Sequence, residues 1–408
     1  MALRARIVLL DDGCAPLAAL ADLRPVFSVR TGALTLRDRV ASVHGAESIC
    51  AWWVPSAKRA LCASQATVPV NDASSLPDDV IVLNGRCVLV PPWLDGLAPG
   101  DAAFEHGSGQ LIAARMSGPG LRAFLETHTT PEGTKAVPAA GSAPHLLHEP
   151  WDIIRHRNAA IEWDLRHLVD RNKWGPPGGV LRAGDHPVSV SPKARIFPGV
   201  VLDSSAGPIV VDEEAVLRPN AVICGPAYIG KQSTVLDGAT IRPNTAIGPV
   251  CKVNGEVSGT IFQSYANKAH DGFAGDSWIG EWANLGAGTI TSNLLNTYGE
   301  IKAQSGPDAT VQKTGLTFFG AIVGDHVKTA IGTRLMTGSV IGTGSMIALS
   351  AHAPSAIGRF AWITDEGTRT YRMEKFLEVM GAVMGRRGIT PTEAYVEAIR
   401  ALIHAGAS

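Results

Sequence analysis

One histidine, His270, stands where an otherwise regular sequence pattern is interrupted. It lies in the stretch from Asn267 to Asn293, with Lys268 before it and Asp271 after it. Histidine is the side chain that most readily gains or loses a proton near neutral pH, so it can serve as a general base. The alternative is a histidine that only caps a turn at the surface. We therefore ask which elements would hold it and what would surround it.

The elements around His270 follow a six-residue repeat. Aliphatic residues recur at every sixth position at Leu217, Ile223, Ile229, Val235, Ile241, Ile247 and Val253. The spacing holds earlier and resumes later at Val190, Ile196, Leu202, Val323, Leu335, Ile341 and Ile347, with Thr329 in the missing place. Neither a helix nor a single strand repeats every six residues, whereas a three-faced parallel β-helix does. We predict this fold for residues 181–360.

Two segments depart from the repeat. Aliphatic positions drift over residues 255–270, and the polar stretch 294–317 predicts a loop inserted into a coil. Loops that interrupt a solenoid commonly form its binding sites. We therefore expect the site near these two segments.

Residues 1–148 predict an α/β domain. Short apolar runs indicate strands at Arg6–Leu10, Ser48–Val54, Val80–Leu83 and Cys87–Val90. Helices are predicted at Leu36–Val43 and Gly120–Glu126, which together favour a mostly parallel, Rossmann-like sheet. Residues 127–142 are rich in Thr, Pro, Gly and Ala and predict a loop.

Helices are predicted to follow each of the two domains. An amphipathic helix over 149–172, in a linker that ends near 180, should connect them. The tail, residues 361–408, should also be helical and pack on the β-helix or on a neighbouring subunit. Thr390–Glu393 predicts a capping box with Pro391 at the first helical position, and Tyr395, Ile399 and Ile403 predict one apolar face.

The composition excludes several classes of function. A net charge of −1 disfavours nucleic acid as a partner. The six cysteines form no Cys-x-x-Cys pair, which argues against a zinc site of the usual spacing and fits a reducing compartment. The chain has no apolar run that is long enough for a membrane span or a signal peptide. We expect a cytoplasmic protein that acts on small molecules.

Several motifs carry a resemblance to a known enzyme family. They are IRPNTAIG (241–248), GEV (255–257), NKAH (267–270), GD (275–276) and IGEWANLGAGTITSN (279–293). They resemble the acetyltransferase half of the bifunctional enzymes that make UDP-N-acetylglucosamine. The order of nucleotidyltransferase-like sheet, linking helix and left-handed β-helix is similar too. YANKAHDGF and SNLLNTYGE look closest to a divergent branch with an unusual N-terminal domain.

The resemblance implies a reaction and an assembly. The family moves an acetyl group from acetyl-CoA to the amine of glucosamine 1-phosphate, and its N-terminal domain transfers a uridylyl group from UTP with Mg²⁺. β-Helix acyltransferases of this group are generally homotrimers whose sites lie between subunits. Whether the uridylyl transfer is retained here stays open.

The resemblance also assigns roles to residues. His270 is implied as the general base, Arg242 as the phosphate anchor and Asn293 as a sugar contact. Asn267 and Lys268 are further candidates for substrate binding. Backbone amides of the small residues Gly286, Ala287 and Gly288 are implied to approach the thioester carbonyl. Candidates for the phosphates of CoA, chosen by region only, are Lys302, Lys313, Lys328 and Arg334.

The sequence departs from the family at three positions. A family lysine is replaced by Ser258 or Gly259, so that Lys252 or Lys268 would have to substitute for it. Two family tyrosines are replaced by Phe273 and Leu294, which removes two hydroxyl groups. The sugar contacts must therefore differ in detail.

The N-terminal domain lacks the Gly-rich loop that cradles a triphosphate in the family. Asp11 and Asp12 follow the first predicted strand, where a ligand or Mg²⁺ could bind. Arg24 and Arg30 could meet phosphates, and Asn84 follows another strand. The alternative is a degenerate domain kept for folding or oligomerisation.

Three other functions stay open at this point. The acceptor could be another amino-sugar nucleotide. A metal-dependent β-helix of the carbonic-anhydrase type would use three histidines, and His270, His326 and His352 are available. The third alternative is a scaffold without enzymatic activity.

Overall fold

The structure, a computed structural model, describes residues 6–138, 146–176 and 178–406, with the side chains of 405 and 406 left out. Its N-terminal part is built on one mixed sheet. The strands are β1 (Arg6–Leu10), β2 (Ile49–Trp53), β3 (Asp79–Asn84), β4 (Asp101–Phe104), β5 (Leu111–Ser117) and β6 (Lys135–Pro138), in the order β2-β1-β3-β5-β4-β6. β1 pairs in parallel with β2 and β3, and β5 runs antiparallel to β3 and β4.

Helices flank this sheet. They are α1 (Ala18–Ala21), α2 (Leu36–His44), α3 (Arg59–Ala63), α4 (Gly118–Thr127) and α5 (Asp152–Asn172). Short 3₁₀ helices cover Val26–Ser28, Ala46–Ser48, Ser56–Lys58, Ala73–Ser75 and Leu94–Gly96. α2 begins with a capping box in which Thr35 and Asp38 each accept a hydrogen bond from the other residue's backbone amide. α5 is the predicted connecting helix.

Most predicted elements of this domain are confirmed, and one strand is wrong. Cys87–Val90 forms no strand, because the chain turns here and only Cys87 bridges to Leu146. The sequence reasoning missed β4, β5 and β6. The predicted loop 127–142 contains β6, an edge strand that pairs with β4, and its residues 139–142 lie outside the described residues.

The second part is a three-faced parallel β-solenoid. The first face, named the open face, contains Leu181–Ala183, Val201–Asp203, Val222–Cys224, Thr240–Ile241, Glu256–Ser258 and Ala274–Gly275, continued by Ile290–Thr291 and Arg334–Leu335. The second, the covered face, contains Val188–Val190, Ile209–Val211, Ala227–Ile229, Thr245–Ile247, Ile261–Phe262, Trp278–Ile279, Ala321–Val323, Ser339–Ile341 and Ala356–Ile357.

The third face is named the tail face. It contains Arg195–Ile196, Val216–Leu217, Thr234–Val235, Lys252–Val253, Asn267–Lys268, Lys328–Thr329, Met346–Ala348 and Ala361–Thr364, with Gly367–Thr370 antiparallel at its end. Asn284 bridges Asn267 to Lys328 and so keeps this face continuous. The predicted loop 294–317 carries a short hairpin of Lys302–Ala303 and Gln312–Lys313.

The six-residue repeat forms the interior of the solenoid, as predicted. The seven residues of its longest run are fully buried and stack in register, as with Val235 opposite Val253. Fixed registers of this kind give one continuous apolar core, because each coil buries its aliphatic residues against the next.

The tail contains α6 (Met373–Gly385) and α7 (Glu393–Gly406). The predicted capping box is wrong by two positions: α7 begins at Glu393, and Thr392 accepts a hydrogen bond from the amide of Tyr395 at 3.2 Å. Pro391 therefore lies before the helix, where its missing N–H costs nothing. The predicted face of Tyr395, Ile399 and Ile403 is confirmed and packs onto the solenoid beside Trp282.

The N-terminal domain and α5 close the covered face. The outward side chains of that face form an apolar row, and the following are buried against α5 and the loops before α2: Val210, Tyr228, Ala246, Ile261, Trp278, Ile322 and Val340. Ion pairs border this contact. Arg24 binds Asp325 at 2.9 Å and Glu281 at 3.0 Å, and Arg157 of α5 binds Asp276 at 2.8 Å.

Among the described residues, no helix has the length and hydropathy needed to cross a membrane.

Replacing Arg24 by alanine should weaken the contact between the domain and the solenoid. Burial raises the pKa of Asp325 to about 6 even beside Arg24, so without the guanidinium this carboxyl is buried without its cation. We expect a loss of about 3–5 kcal/mol in unfolding free energy, measured by denaturant titration. Arg37→Ala, which breaks a partly exposed pair with Asp38, is the control. Equal losses of unfolding free energy in both variants would show that the buried pair of Arg24 and Asp325 does not stabilise the contact.

Candidate active site

His270 lies at a corner of the solenoid, where the tail face turns into the open face. Its side chain is exposed. The stretch Gly286–Gly288 occupies the same corner one coil later, and the amide of Gly288 donates to the carbonyl of Asp271 at 3.3 Å. The two coils touch closely, since a Cβ at Gly272 would come within 2.4 Å of the Thr289 carbonyl oxygen. The fold thus brings the predicted base and the predicted amides together.

Lys268 holds this corner from the inside. It takes the inward position opposite Val253, where the repeat would place an aliphatic residue, and is 2% exposed. Its Nζ donates to the carbonyls of Asn254 at 2.9 Å and His270 at 3.0 Å, so it links two successive coils. Burial lowers the pKa of Lys268 to about 8, and Asp271 offsets this in part. Lys268 supports the backbone of His270 from the core.

The three amides at the corner differ in their partners. The amide of Gly286 donates to Thr329 Oγ1 at 3.0 Å, and that of Gly288 to Asp271. Within the described part of the chain, the amide of Ala287 has no acceptor, while its carbonyl accepts from Gly332 at 2.7 Å. Ala287 therefore carries the N–H group that a bound oxyanion could use.

Asn293 lies at the other end of the open face, where this face turns into the covered face beside Asp276. Its Nδ2 donates to Asp276 Oδ2 at 2.6 Å, and Asp276 in turn pairs with Arg157. A Cβ at Gly275 would meet the Phe273 ring at 2.5 Å and the Asn293 amide at 2.7 Å, so both side chains cross over Gly275. Asn293 is held by α5 through Asp276, a connection that the sequence did not reveal.

Arg242 lies on the open face two coils before Gly275. Its Nε pairs with Glu256 Oε1 at 3.1 Å, and both side chains are about half exposed, at 50% and 47%. A pair that is so accessible can be exchanged for a phosphate at little cost. Arg242 and Asn293 thus share one face with the corner that carries His270.

The other substrate and CoA candidates are dispersed. Asn267 lies on the tail face, where its Nδ2 donates to Asn284 at 2.7 Å. Lys302 and Lys313 stand opposite each other on the two strands of the inserted hairpin. Lys328 lies on the tail face and Arg334 on the open face.

Asp11, Asp12 and Asn84 lie at the carboxyl ends of β1 and β3. Arg86, which sequence reasoning missed although it lies two residues after Asn84, binds Asp12 at 2.7 Å, while Asn84 donates to Asp12 at 2.9 Å. Burial alone would raise the pKa of Asp12, but Arg86 outweighs it and lowers this pKa. Lys58 pairs with Asp11 at 2.9 Å.

These partners bear on the predicted Mg²⁺ site. Both carboxylates already face a cation, and Asp11 also accepts from the amides of Gly13 and Val26. In this arrangement the residues do not fit Mg²⁺, because their carboxylate oxygens are already occupied by cations and backbone amides. Arg24 and Arg30 lie at the solenoid instead, where Arg30 Nε donates to the carbonyl of Gln263 at 3.0 Å.

The alternative of a three-histidine metal site does not match the geometry. His326 is buried beneath the tail at a different corner from His270, and its Nε2 bonds the Tyr395 hydroxyl at 2.7 Å. Burial lowers the pKa of His326 well below its usual value. The described residues contain no group of three His, Cys, Asp or Glu side chains that could hold a metal ion.

Fold and site define a class: a nucleotidyltransferase-like sheet joined to a hexapeptide-repeat solenoid. Residues 7–173 match the family of sugar nucleotidyl transferases. The chain is 34% identical over 183 residues to "Bifunctional protein GlmU" of Methanococcus aeolicus, covering 43% of each protein. It is 28% identical over 178 residues to "Bifunctional sugar-1-phosphate nucleotidylyltransferase/acetyltransferase" of Sulfurisphaera tokodaii, covering 43% of this chain and 41% of the relative.

A solved hexapeptide transferase family protein from Anaplasma phagocytophilum is 15% identical with a TM-score of 0.23, covering 54% of this chain and 96% of its own. The matches to the curated relatives span about half of their length or less. The chain is thus similar to sugar nucleotidyl transferases over its N-terminal domain, and to proteins named GlmU over 43% of its length.

Replacing Lys268 by methionine should change how stability depends on pH. Below pH 8 the lysine is charged in both states, and its burial cost is fully present. In the unfolded chain the pKa of lysine is about 10.4. Between about pH 8 and this pKa the folded state has released the proton while the unfolded state still holds it. The free energy of unfolding of the wild type therefore rises by up to about 3 kcal/mol relative to the variant. Denaturant titrations at pH 7.5 and 9.5 measure the difference. The same change of unfolding free energy with pH in the wild type and in Lys268→Met would contradict this prediction. Lys252→Met, at an exposed position, is the matched control.

Proposed function

We propose that the chain transfers the acetyl group of acetyl-CoA to the amine of glucosamine 1-phosphate. The observation that carries this proposal is the meeting of His270 and the Ala287 amide at one corner, on successive coils. The similarity to a bifunctional sugar-1-phosphate nucleotidylyltransferase/acetyltransferase supports it. A reaction of this kind needs a base, an oxyanion donor and a phosphate anchor.

The steps follow from these groups. His270 takes a proton from the substrate ammonium group, and the free amine attacks the thioester carbonyl carbon. The oxyanion that forms accepts a hydrogen bond from the Ala287 amide. The attacking nitrogen loses its second proton to solvent, the C–S bond breaks as the intermediate collapses, and the proton held by His270 passes to the leaving thiolate. The products are the N-acetylated sugar phosphate and CoA.

The open face supplies the contacts to the acceptor. Arg242 would exchange Glu256 for the sugar phosphate, which a guanidinium binds well. Asn293, held by Asp276, would bind a sugar hydroxyl from a fixed position. Phe273, which stands where the family has a tyrosine, has no hydroxyl for the sugar and would contact it only through its ring. A UDP-amino sugar is the alternative acceptor, and comparing it with glucosamine 1-phosphate as substrate separates the two.

The N-terminal domain carries a second candidate activity. The family match over residues 7–173 favours uridylyl transfer from UTP. The Asp12–Arg86 and Asp11–Lys58 pairs favour the opposite view, in which the domain serves mainly to cover the solenoid. An assay containing UTP, Mg²⁺, acetyl-CoA and glucosamine 1-phosphate, with each product followed separately, decides between them.

Replacing His270 by alanine should lower kcat for acetyl transfer by roughly 10²–10⁴-fold, the usual contribution of a general base. Release of CoA thiol, followed by its reaction with a chromogenic disulfide, measures the rate. His352→Ala removes another exposed histidine of the solenoid and is the control. Near wild-type kcat in His270→Ala would mean that another group takes the proton.

We further propose a homotrimer with active sites between subunits. The coil that carries Gly286–Gly288 and its neighbour expose apolar side chains: Ile290 is 41% exposed, Met336 39% and Ile331 80%. Such residues on one edge of a solenoid suit burial against a second copy.

Replacing Ile331 by aspartate should dissociate the assembly and reduce acetyl transfer with it, because a charge would be buried at the subunit contact. Sedimentation velocity reports the oligomeric state. Val311→Asp, at a 55% exposed position of the inserted hairpin, is the matched control. An unchanged trimer in the Ile331 variant would place the contact elsewhere.

A further inference from the structure

A cavity of about 450 Å³ lies between the tail face and the end of α6, and the steps of acetyl transfer leave it unused. Its volume falls in the range that holds a small molecule. Lys252 and Lys328 reach it from two coils of the solenoid, and Arg386 and Arg387 reach it from the residues that follow α6. The cavity exists only because the tail folds back on the solenoid.

The charges around the cavity are of one sign. No Asp or Glu is among the residues that line it. Within the described residues, none of the four cations forms an ion pair or a side-chain hydrogen bond. Lys252 and Arg386 are exposed, and Lys328 and Arg387 are partly buried, so all four are accessible to a ligand. Four cations that converge without a counter-ion repel one another, and an anion from outside the chain would relieve this.

Burial strengthens this argument at Lys328. The side chain is partly buried, and desolvation lowers its pKa to about 8 with no carboxylate to offset it. A bound anion would restore the charged form, so the site gains most from a ligand that carries full negative charge.

The neutral lining suits the same kind of ligand. The amides of Asn267 and Asn284 lie side by side on the tail face and can donate to phosphate oxygens. Tyr265 and Trp282 are stacked with ring centroids 4.3 Å apart and form a flat wall. A planar group can lie against such a wall.

We propose that this cavity binds the phosphate groups of a small molecule that carries at least two phosphoryl charges, so that the tail is part of a ligand site. Two sources share this chemistry: the bisphosphate end of the acetyl donor, and a nucleotide di- or triphosphate. Asn267 lies three residues before His270, and Asn284 two residues before Gly286, so a ligand held here would lie along the face that leads to the catalytic corner. Anion binding itself does not depend on the proposed acetyl transfer.

Titration calorimetry of the full chain with inorganic pyrophosphate tests the proposal. Wild type should bind, with an affinity that falls as salt rises. Arg386→Ala/Arg387→Ala should raise Kd at least about tenfold, because charge-assisted hydrogen bonds are lost. Arg372→Ala/Arg400→Ala removes two exposed arginines of the tail outside the cavity and should leave Kd within about twofold of the wild type.

Lys252→Ala keeps the proposal testable if the double variant fails to fold. Because Lys252 is exposed, its replacement should raise Kd without lowering the Tm. Competition by adenosine 3′,5′-bisphosphate would assign the site to the acetyl donor, and competition by UTP to a nucleotide. Absence of pyrophosphate binding to the wild type, or unchanged Kd in a folded double variant, would overturn the proposal. Loss of acetyl transfer with intact pyrophosphate binding would remove the proposed function only.

Discussion

The outer row of the covered face is the constraint on which this structure depends. A solenoid strand places every second side chain outward, and on most solenoid faces such residues meet water. Here the outward row includes Tyr228, Ile261, Trp278 and Ile322, all buried. Burying this apolar row stabilises the fold by about 25 cal/mol for each Å² of apolar surface that is removed from water. The N-terminal domain and α5 perform this task, so the two halves form one folded unit.

The three faces therefore have different roles. The covered face is closed by the chain's own N-terminal half, and the tail closes part of the tail face through Phe376, Met380 and Ile399. The open face keeps its outward side chains accessible. His270 lies at the corner between the open face and the tail face, and both candidate sites adjoin this corner. Closure of the other surfaces thus directs ligands to one region.

Polar groups inside the solenoid mark the same region. Lys268 takes a core position, and the buried hydroxyls of Thr289 and Thr329, on the coils that follow, bond each other at 2.7 Å. A buried lysine costs stability, and two backbone carbonyls together with the nearby Asp271 offset only part of this. Proteins tend to accept such costs where the backbone must be held for function. The α5 residue Arg157 holds Asn293 through Asp276 in a similar way, so the connecting helix also shapes the site.

The sequence by itself determined the solenoid, its core rows, the connecting helix and the motif around His270, because a six-residue period is a local property that any reader of the chain can count. It also indicated that Asp11 and Asp12 follow one strand and Asn84 another. Only the tertiary structure decided that Lys268 points inward, that Arg24 and Arg30 leave the sheet edge for the solenoid, and that Cys87–Val90 turns instead of pairing. It also decided that Arg386 and Arg387 meet Lys252 and Lys328 around one cavity. The contacts of Arg24 and Arg30 join residues more than two hundred positions apart, and no local pattern encodes which side chains will share a partner once the faces are closed.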